Sequence, residues 1–235
     1  MTSTSSREQK KQLGSRDRAI IDDVVRMRLT TNSIVRQRHM AELTDNAVAK
    51  ITSRLAVNGW LTAHQLGGRR VYFTPGQRTV RIFDLSSKSV RPLGNQTFPT
   101  CLAIASFFAD LGRECQVAFA SEVQSEFPWM PDELALNTHF LHRENEALEL
   151  KLIRVDLGGS VKHITTKCSI DIEKRVGIPE FQALLLSRRF VLILLTTTPQ
   201  KASFLREELS TKRWPNGIRF QIAVAPELLT AIGVE

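Results

Sequence analysis

The stretch 44–76, "TDNAVAKITSRLAVNGWLTAHQLGGRRVYFTPG", decides the first half of the chain. It opens on Thr44 or Asp45, residues whose short oxygens cap a helix, and the helix closes at Asn58-Gly59. Between these ends Val48, Ile51 and Leu55 recur at i, i+3 and i+7, the spacing of one buried stripe. The opposite face carries Asn46, Lys50, Ser53 and Arg54. The remaining piece, "WLTAHQLGGRRVYFTPG", reads as two short strands around Gly67-Gly68, a pair that supplies the positive φ angles of a tight hairpin. Arg69 and Arg70 stand at the hairpin tip.

Upstream, "DRAIIDDVVRMRLTT" places Ile20, Ile21, Val24, Val25 and Met27 near helical spacing, and "SIVRQRHM" (33–40) reads as a second, short helix. Three helices and a basic-tipped hairpin over 17–78 predict a winged helix-turn-helix. In that architecture the third helix enters the major groove and the wing meets backbone or minor groove. Asn46 and Lys50 are then candidates for base edges. Ser53 and Arg54 join them on the helix, and Arg69 and Arg70 are candidates for phosphates.

The charge distribution agrees. The chain has 235 residues, 42% of them hydrophobic, and a formal net charge of +8. Residues 1–78 hold 14 Lys and Arg against 6 Asp and Glu, whereas residues 79–235 hold 18 of each. A basic module joined to a neutral one is the electrostatic footprint of nucleic-acid binding, and double-stranded DNA is the expected partner. The start, "MTSTSSREQKKQLGSR" (1–16), is polar and basic without an apolar core; it is expected to be a disordered arm, not a secretory signal. Three cysteines without a CxxC pair argue against a disulfide framework and a cysteine zinc site, and suit a reducing cytoplasm. No apolar run approaches the roughly 20 residues of a membrane span, so no membrane partner is expected.

Residues 79–96 read as a linker, with "TVRIFDL" (79–85) expected as a strand that finishes the wing or bridges to the second domain and "SSKSVRPLGNQ" (86–96) rich in turn formers, and 97–235 as a mixed α/β domain. "TFPTCLAIASFFADLG" predicts an apolar helix, and strands are expected near 135–142 and 148–157. In "RRFVLILLTTTPQ" six consecutive apolar residues, Phe190 to Leu195, predict a strand buried on both faces. A helix with Pro199 in its first turn, a strand "GIRFQIAVA" and a helix "PELLTAIG" complete the reading.

Phosphate loops of the GxxxxGK[ST] and GxGxxG kinds, a GxSxG elbow and HExxH are all absent. The only tyrosine, Tyr72, falls in the hairpin, so a tyrosine nucleophile would have no other candidate. What remains are Glu122 in "ASE", Asp132 in "MPDEL" and Asp156, which ends a strand in "LKLIRVDLGGSVK". Carboxylates converging at one edge of a sheet could hold Mg²⁺ or Mn²⁺, with Asp132 and Asp156 as ligands.

These segments, in order, resemble the replication-relaxation family, which includes MobC-type mobilisation relaxases. "RRVYFTPG", "PLGNQTFPTCLAIASFFADL", "ASE", "MPDELAL", "LIRVDLGGS" and "FVLILLTTTPQKASFLREEL" carry the resemblance over about 17–225. It implies a winged helix joined to a degenerate restriction-endonuclease-like domain of the PD-(D/E)xK kind. It places Glu122, Asp132 and Asp156 at the family's acidic positions. The chain departs from the pattern twice. Arg154 stands where a further acid is usual, and Gly158 where the wider fold has lysine. Arg154 is expected either to pair with Asp156 or to stabilise charge developing on a phosphate, and Lys162 and Lys167 are the nearest later cations. The resemblance implies one of two functions. One is a plasmid or mobile-element protein that recognises an origin and nicks it with a metal-dependent carboxylate site. The other is a non-enzymatic transcriptional or replication regulator whose nuclease-like domain serves dimerisation or partner binding. Beside these stands a third reading, an accessory protein whose winged helix binds other proteins. A homodimer and other mobilisation or replication proteins are the further candidate partners.

Overall fold

The structure is a computed structural model, and it describes residues 13–66, 70–113, 115–136, 138–144 and 147–231. It is a mixed α+β protein with two sheets that divides into two compact units. Unit 1 comprises Met1–Thr97 with Phe108–Glu114, and unit 2 comprises Phe98–Phe107 with Cys115–Glu235. None of its helices is long and apolar enough to cross a membrane, among the described residues.

Unit 1 begins with α1 (Ser15–Met27), which buries Ile20, Ile21, Val24 and Val25 along one face. Ser15 and Arg16, expected in a disordered arm, are helical; the rest of that arm, through residue 12, lies outside the described residues. Strand β1 (Thr30–Thr31) leads into α2 (Asn32–His39), whose first turn is capped by the Thr31 hydroxyl accepting from the Ile34 N–H at 3.2 Å. Helix α3 (Asp45–Val57) is capped in the same way by Thr44, and Asp45 in its first turn complements the helix dipole. Gly59 takes φ +74° just past the helix end, a conformation without steric penalty only for glycine. Strands β2 (Leu61–Gln65) and β3 (Val71–Pro75) pair antiparallel from Leu61↔Pro75 to Gln65↔Val71, giving a sheet of order β1-β3-β2. Gly67, Gly68 and Arg69 lie outside the described residues. The core of the unit joins Ile20, Ile21, Val24, Val35, Val48, Leu55, Trp60 and Phe73.

Residues 79–96 are not a bare linker. Helix α4 (Gln77–Ile82) and a 3-10 turn (Ser87–Val90) occupy much of the segment. Val80 is buried, and Ile82, Phe83 and Leu85 pack against the unit 1 core, so "TVRIFDL" forms the end of a helix and a turn on that core instead of the expected strand. The segment is also tied by hydrogen bonds, from the Leu93 N–H to the Tyr72 hydroxyl at 3.0 Å and from Thr74 Oγ1 to the Val90 carbonyl at 3.4 Å.

Helix α5 (Thr97–Leu111) comes next, then β4 (Val117–Ala118), α6 (Ala120–Glu126) and α7 (Asp132–Ala135). Residues 135–138, expected in a strand, precede it: β5 runs His139–Glu144 and β6 runs Ala147–Val155. Two helices not assigned from sequence, α8 (Val161–Val176) and α9 (Pro179–Leu186), lead to β7 (Phe190–Thr196). Helix α10 (Pro199–Thr211), β8 (Arg219–Val224) and α11 (Glu227–Ala231) end the unit.

The five-stranded sheet has the order β4-β5-β6-β7-β8; β4, β5 and β6 pair antiparallel, whereas β6, β7 and β8 run parallel. Every residue of β7 is buried, as its apolar run requires of a strand covered on both faces. On one face Leu150, Leu152, Phe190, Leu192 and Leu194 pack with Ile164, Cys168 and Ile172 of α8, Phe181 and Leu184 of α9, and Leu205 and Leu209 of α10.

Candidate functional site

On α3 Asn46, Lys50, Ser53 and Arg54 are exposed, as are Asp45 and Val57 at its ends, while Val48, Thr52 and Leu55 are buried. Asn46, Lys50 and Ser53, at i, i+4 and i+7, share one face of the helix. Arg54 differs from them: its Nη2 donates to both carboxylate oxygens of Asp17 on α1, at 2.9 and 2.8 Å. Its guanidinium therefore braces α3 against α1. Arg70 is exposed at the start of β3. Tyr72 is buried and its hydroxyl accepts the Leu93 N–H, so the phenol serves packing and the segment after the hairpin.

A clasp closes the other end of unit 1. Arg38 and His39 both bond the buried Asp23 carboxylate, His39 Nε2 at 2.7 Å. Burial alone would raise the Asp23 carboxyl, but the hydrogen bonds from His39 and Arg38 hold it below its ordinary value. Arg38 Nη1 also donates to the Phe108 and Gly112 carbonyls at 2.6 and 2.5 Å, and Arg113 Nε donates to the Arg38 carbonyl at 2.8 Å. The C-terminal turn of α5 is thereby fixed to α2.

In unit 2 the four residues expected to form an acidic site have four different engagements. Glu122 lies in the first turn of α6, where its carboxylate accepts the Phe119 N–H at 2.8 Å and caps its own helix. Asp132 does not lead into a strand; it opens the short helix α7, is exposed, and accepts a hydrogen bond from Gln124. Arg154 pairs not with Asp156 but with Asp171 of α8, through both Nε and Nη2. Two side chains on the same face of one strand are about 7 Å apart, and the helix packed over that face offers Arg154 a nearer carboxylate.

Asp156 succeeds the last residue of β6, where its N–H donates to the Leu195 carbonyl at 2.8 Å and extends the parallel ladder by one bond. Its side chain is 2% exposed. Oδ2 lies 2.7 Å from Lys201 Nζ and accepts from Thr196 Oγ1 at 3.0 Å, while Oδ1 accepts the Gly158 N–H at 3.1 Å. Lys201 also donates to the Gly159 carbonyl at 2.8 Å. The cation beside the strand-terminal acid thus comes from α10, and Lys162 and Lys167 are exposed on α8.

A divalent metal of the kind the family resemblance implies is held by one or two carboxylates together with waters and substrate phosphate. Asp156 is engaged by a lysine, a hydroxyl and a backbone amide, and a cation stands at position 154. Among the described residues no group of three or more His, Cys, Asp or Glu side chains is placed to hold a metal ion. Among the described residues Glu122, Asp132 and Asp156 each have a different partner and form no three-ligand cluster for Mg²⁺ or Mn²⁺.

No family model matches the sequence, and no curated protein or solved structure matches it. The geometry defines an α+β protein of two units, the first with an exposed polar helix face and the second with a buried, lysine-paired carboxylate at its strand ends.

Proposed function

We propose that this is a sequence-specific double-stranded DNA-binding protein that works as a regulator without cutting DNA. Unit 1 is taken as a winged helix-turn-helix, with α3 as the recognition helix and the β2–β3 hairpin as the wing. The observation that carries this reading is the exposed face of α3. Asn46, Lys50 and Ser53 project together from a helix whose opposite face is locked into the core by Val48, Thr52 and Leu55. Asparagine and lysine at such spacing suit base edges in the major groove. Arg70 suits phosphate, and Arg54, held by Asp17, sets the angle of the helix.

The resemblance to the replication-relaxation family supports a role at an origin or operator of a mobile element. Within that resemblance, the lysine-paired Asp156 and the Arg154–Asp171 pair, which puts a cation where a further acid is usual, favour unit 2 as a non-catalytic scaffold over a nicking enzyme. The test is selection from a randomised duplex library by the purified full chain. A consensus enriched by the wild-type protein and lost in the Asn46→Ala, Lys50→Ala double variant is expected. Failure of the wild-type chain to enrich any sequence would overturn the reading.

A further inference from the structure

Unit 2 is electrically balanced in sequence, yet its fold gathers cations at one end of the sheet. Lys151 of β6 and Arg219 at the start of β8 bond a single carboxylate, Glu149, and Arg219 also bonds the turn before β7 that carries Arg188 and Arg189. Glu149 is buried and bonds Lys151 Nζ at 3.0 Å and Arg219 Nη1, with His142 at 3.4 Å. Arg219 Nη1 also donates to the Arg188 carbonyl at 2.8 Å, which brings the turn before β7 and the start of β8 together. The two loops touch again at Gly217, where an added Cβ would lie 1.8 Å from the Leu185 carbonyl oxygen, so only glycine fits. Arg188 and Arg189 have no carboxylate partner among the described residues; Arg189 Nε donates to Ser187 Oγ.

Arg188 adds an independent sign. The Arg188 N–H bonds the Leu185 carbonyl and the Arg189 N–H bonds the Leu184 carbonyl, the double closure that ends a helix on a left-handed residue. That residue is normally glycine. Here it is an exposed arginine with φ 55°. A side chain kept where the backbone disfavours it points to use of that side chain.

We propose that Arg188, Arg189, Arg219 and Lys151 form a second phosphodiester-binding surface, held in shape by Glu149, which contacts DNA backbone beyond the part read by α3. Arg188 is exposed and Arg189 half-buried in the turn that Arg219 bonds, and planar guanidinium forks match phosphate oxygens. The inference rests on the DNA-binding reading above and adds unit 2 to the contacts.

The test compares the full-length wild-type chain with Arg188→Gly, Arg189→Ser. Binding to a fluorescent duplex of about three helical turns is measured between 0.05 and 0.3 M KCl. Loss of two phosphate contacts is expected to lower the slope of log K against log salt by about 1.8 and to weaken binding roughly tenfold near physiological salt. A charge-preserving variant, Arg188→Lys, Arg189→Lys, is expected to restore most of the slope. Wild-type binding with an unchanged slope in the neutral variant would overturn the surface while leaving the α3 reading standing. No duplex binding by the wild-type chain would overturn both.

Discussion

At Arg38 one guanidinium bonds the Asp23 carboxylate and the Phe108 and Gly112 carbonyls, with 2% of the side chain exposed. Arg38→Met removes the main cation from a buried carboxylate, and a cost of about 3–5 kcal/mol is expected; urea unfolding of the purified variant checks it. Lys201→Met is expected to cost about 3 kcal/mol by the same mechanism, since Asp156 would keep only the Thr196 and Gly158 donors. Full retention of stability in that variant would show that the Asp156–Lys201 pair does not hold the strand ends. Arg188→Gly runs the other way. Relief of the left-handed arginine outweighs the added freedom of the unfolded chain, and a gain of about 0.5 kcal/mol is expected. None of these partnerships is legible in the sequence. Arg154 and Asp171 are 17 residues apart and Asp156 and Lys201 are 45 apart, and spacing rules reach only along one helix or strand.

Within single elements the sequence says more. The run Phe190–Leu195 marks β7, because a strand covered on both faces leaves little room for polar side chains. Leu192→Ala in its middle is expected to cost about 2–5 kcal/mol, measured by chemical denaturation. Helix α3 is legible from its stripe and its cap, and the hairpin from its strand residues. Helix α8 carries a comparable signal, with Ser160 as its cap and Ile164, Cys168 and Ile172 at i, i+4 and i+8. Its many β-branched residues mask that stripe, since valine, isoleucine and threonine favour strands. The segment 79–96 misleads for the opposite reason: its serines, proline and glycine suggest a linker, yet four apolar side chains just before them pack on the unit 1 core or lie buried beside it. Asp132 misleads because a proline with an acid after it opens a short helix as readily as a strand.

For the whole molecule, charge behaves differently in sequence and in space. Counting residues places the positive excess in the first 78, whereas folding builds a second basic surface in unit 2 from residues spread over 151–219. Acid stability depends on the buried carboxylates. Burial would raise Glu149, but bonds from Lys151 and Arg219 hold it low, as those from His39 and Arg38 do for Asp23. Groups whose carboxyl is depressed on folding stabilise the protein above the ordinary carboxylate range and lose that contribution as pH falls through the depressed value. Stability is therefore expected to fall on acidification below about pH 4, and Arg38→Met should flatten the part of this fall due to Asp23. The thiol of Cys168, pushed up to about 12 mainly by burial, is expected to resist alkylation in the folded protein.

Incubation of the full-length protein with supercoiled plasmid carrying the selected sequence, in Mg²⁺ or Mn²⁺ and in EDTA, tests the central claim most directly. A retarded supercoiled band that is the same with metal and with EDTA, and no open-circle product, is the expected result. Metal-dependent open circles that disappear in Asp156→Asn would contradict the non-catalytic assignment, and an unshifted plasmid would contradict DNA binding itself.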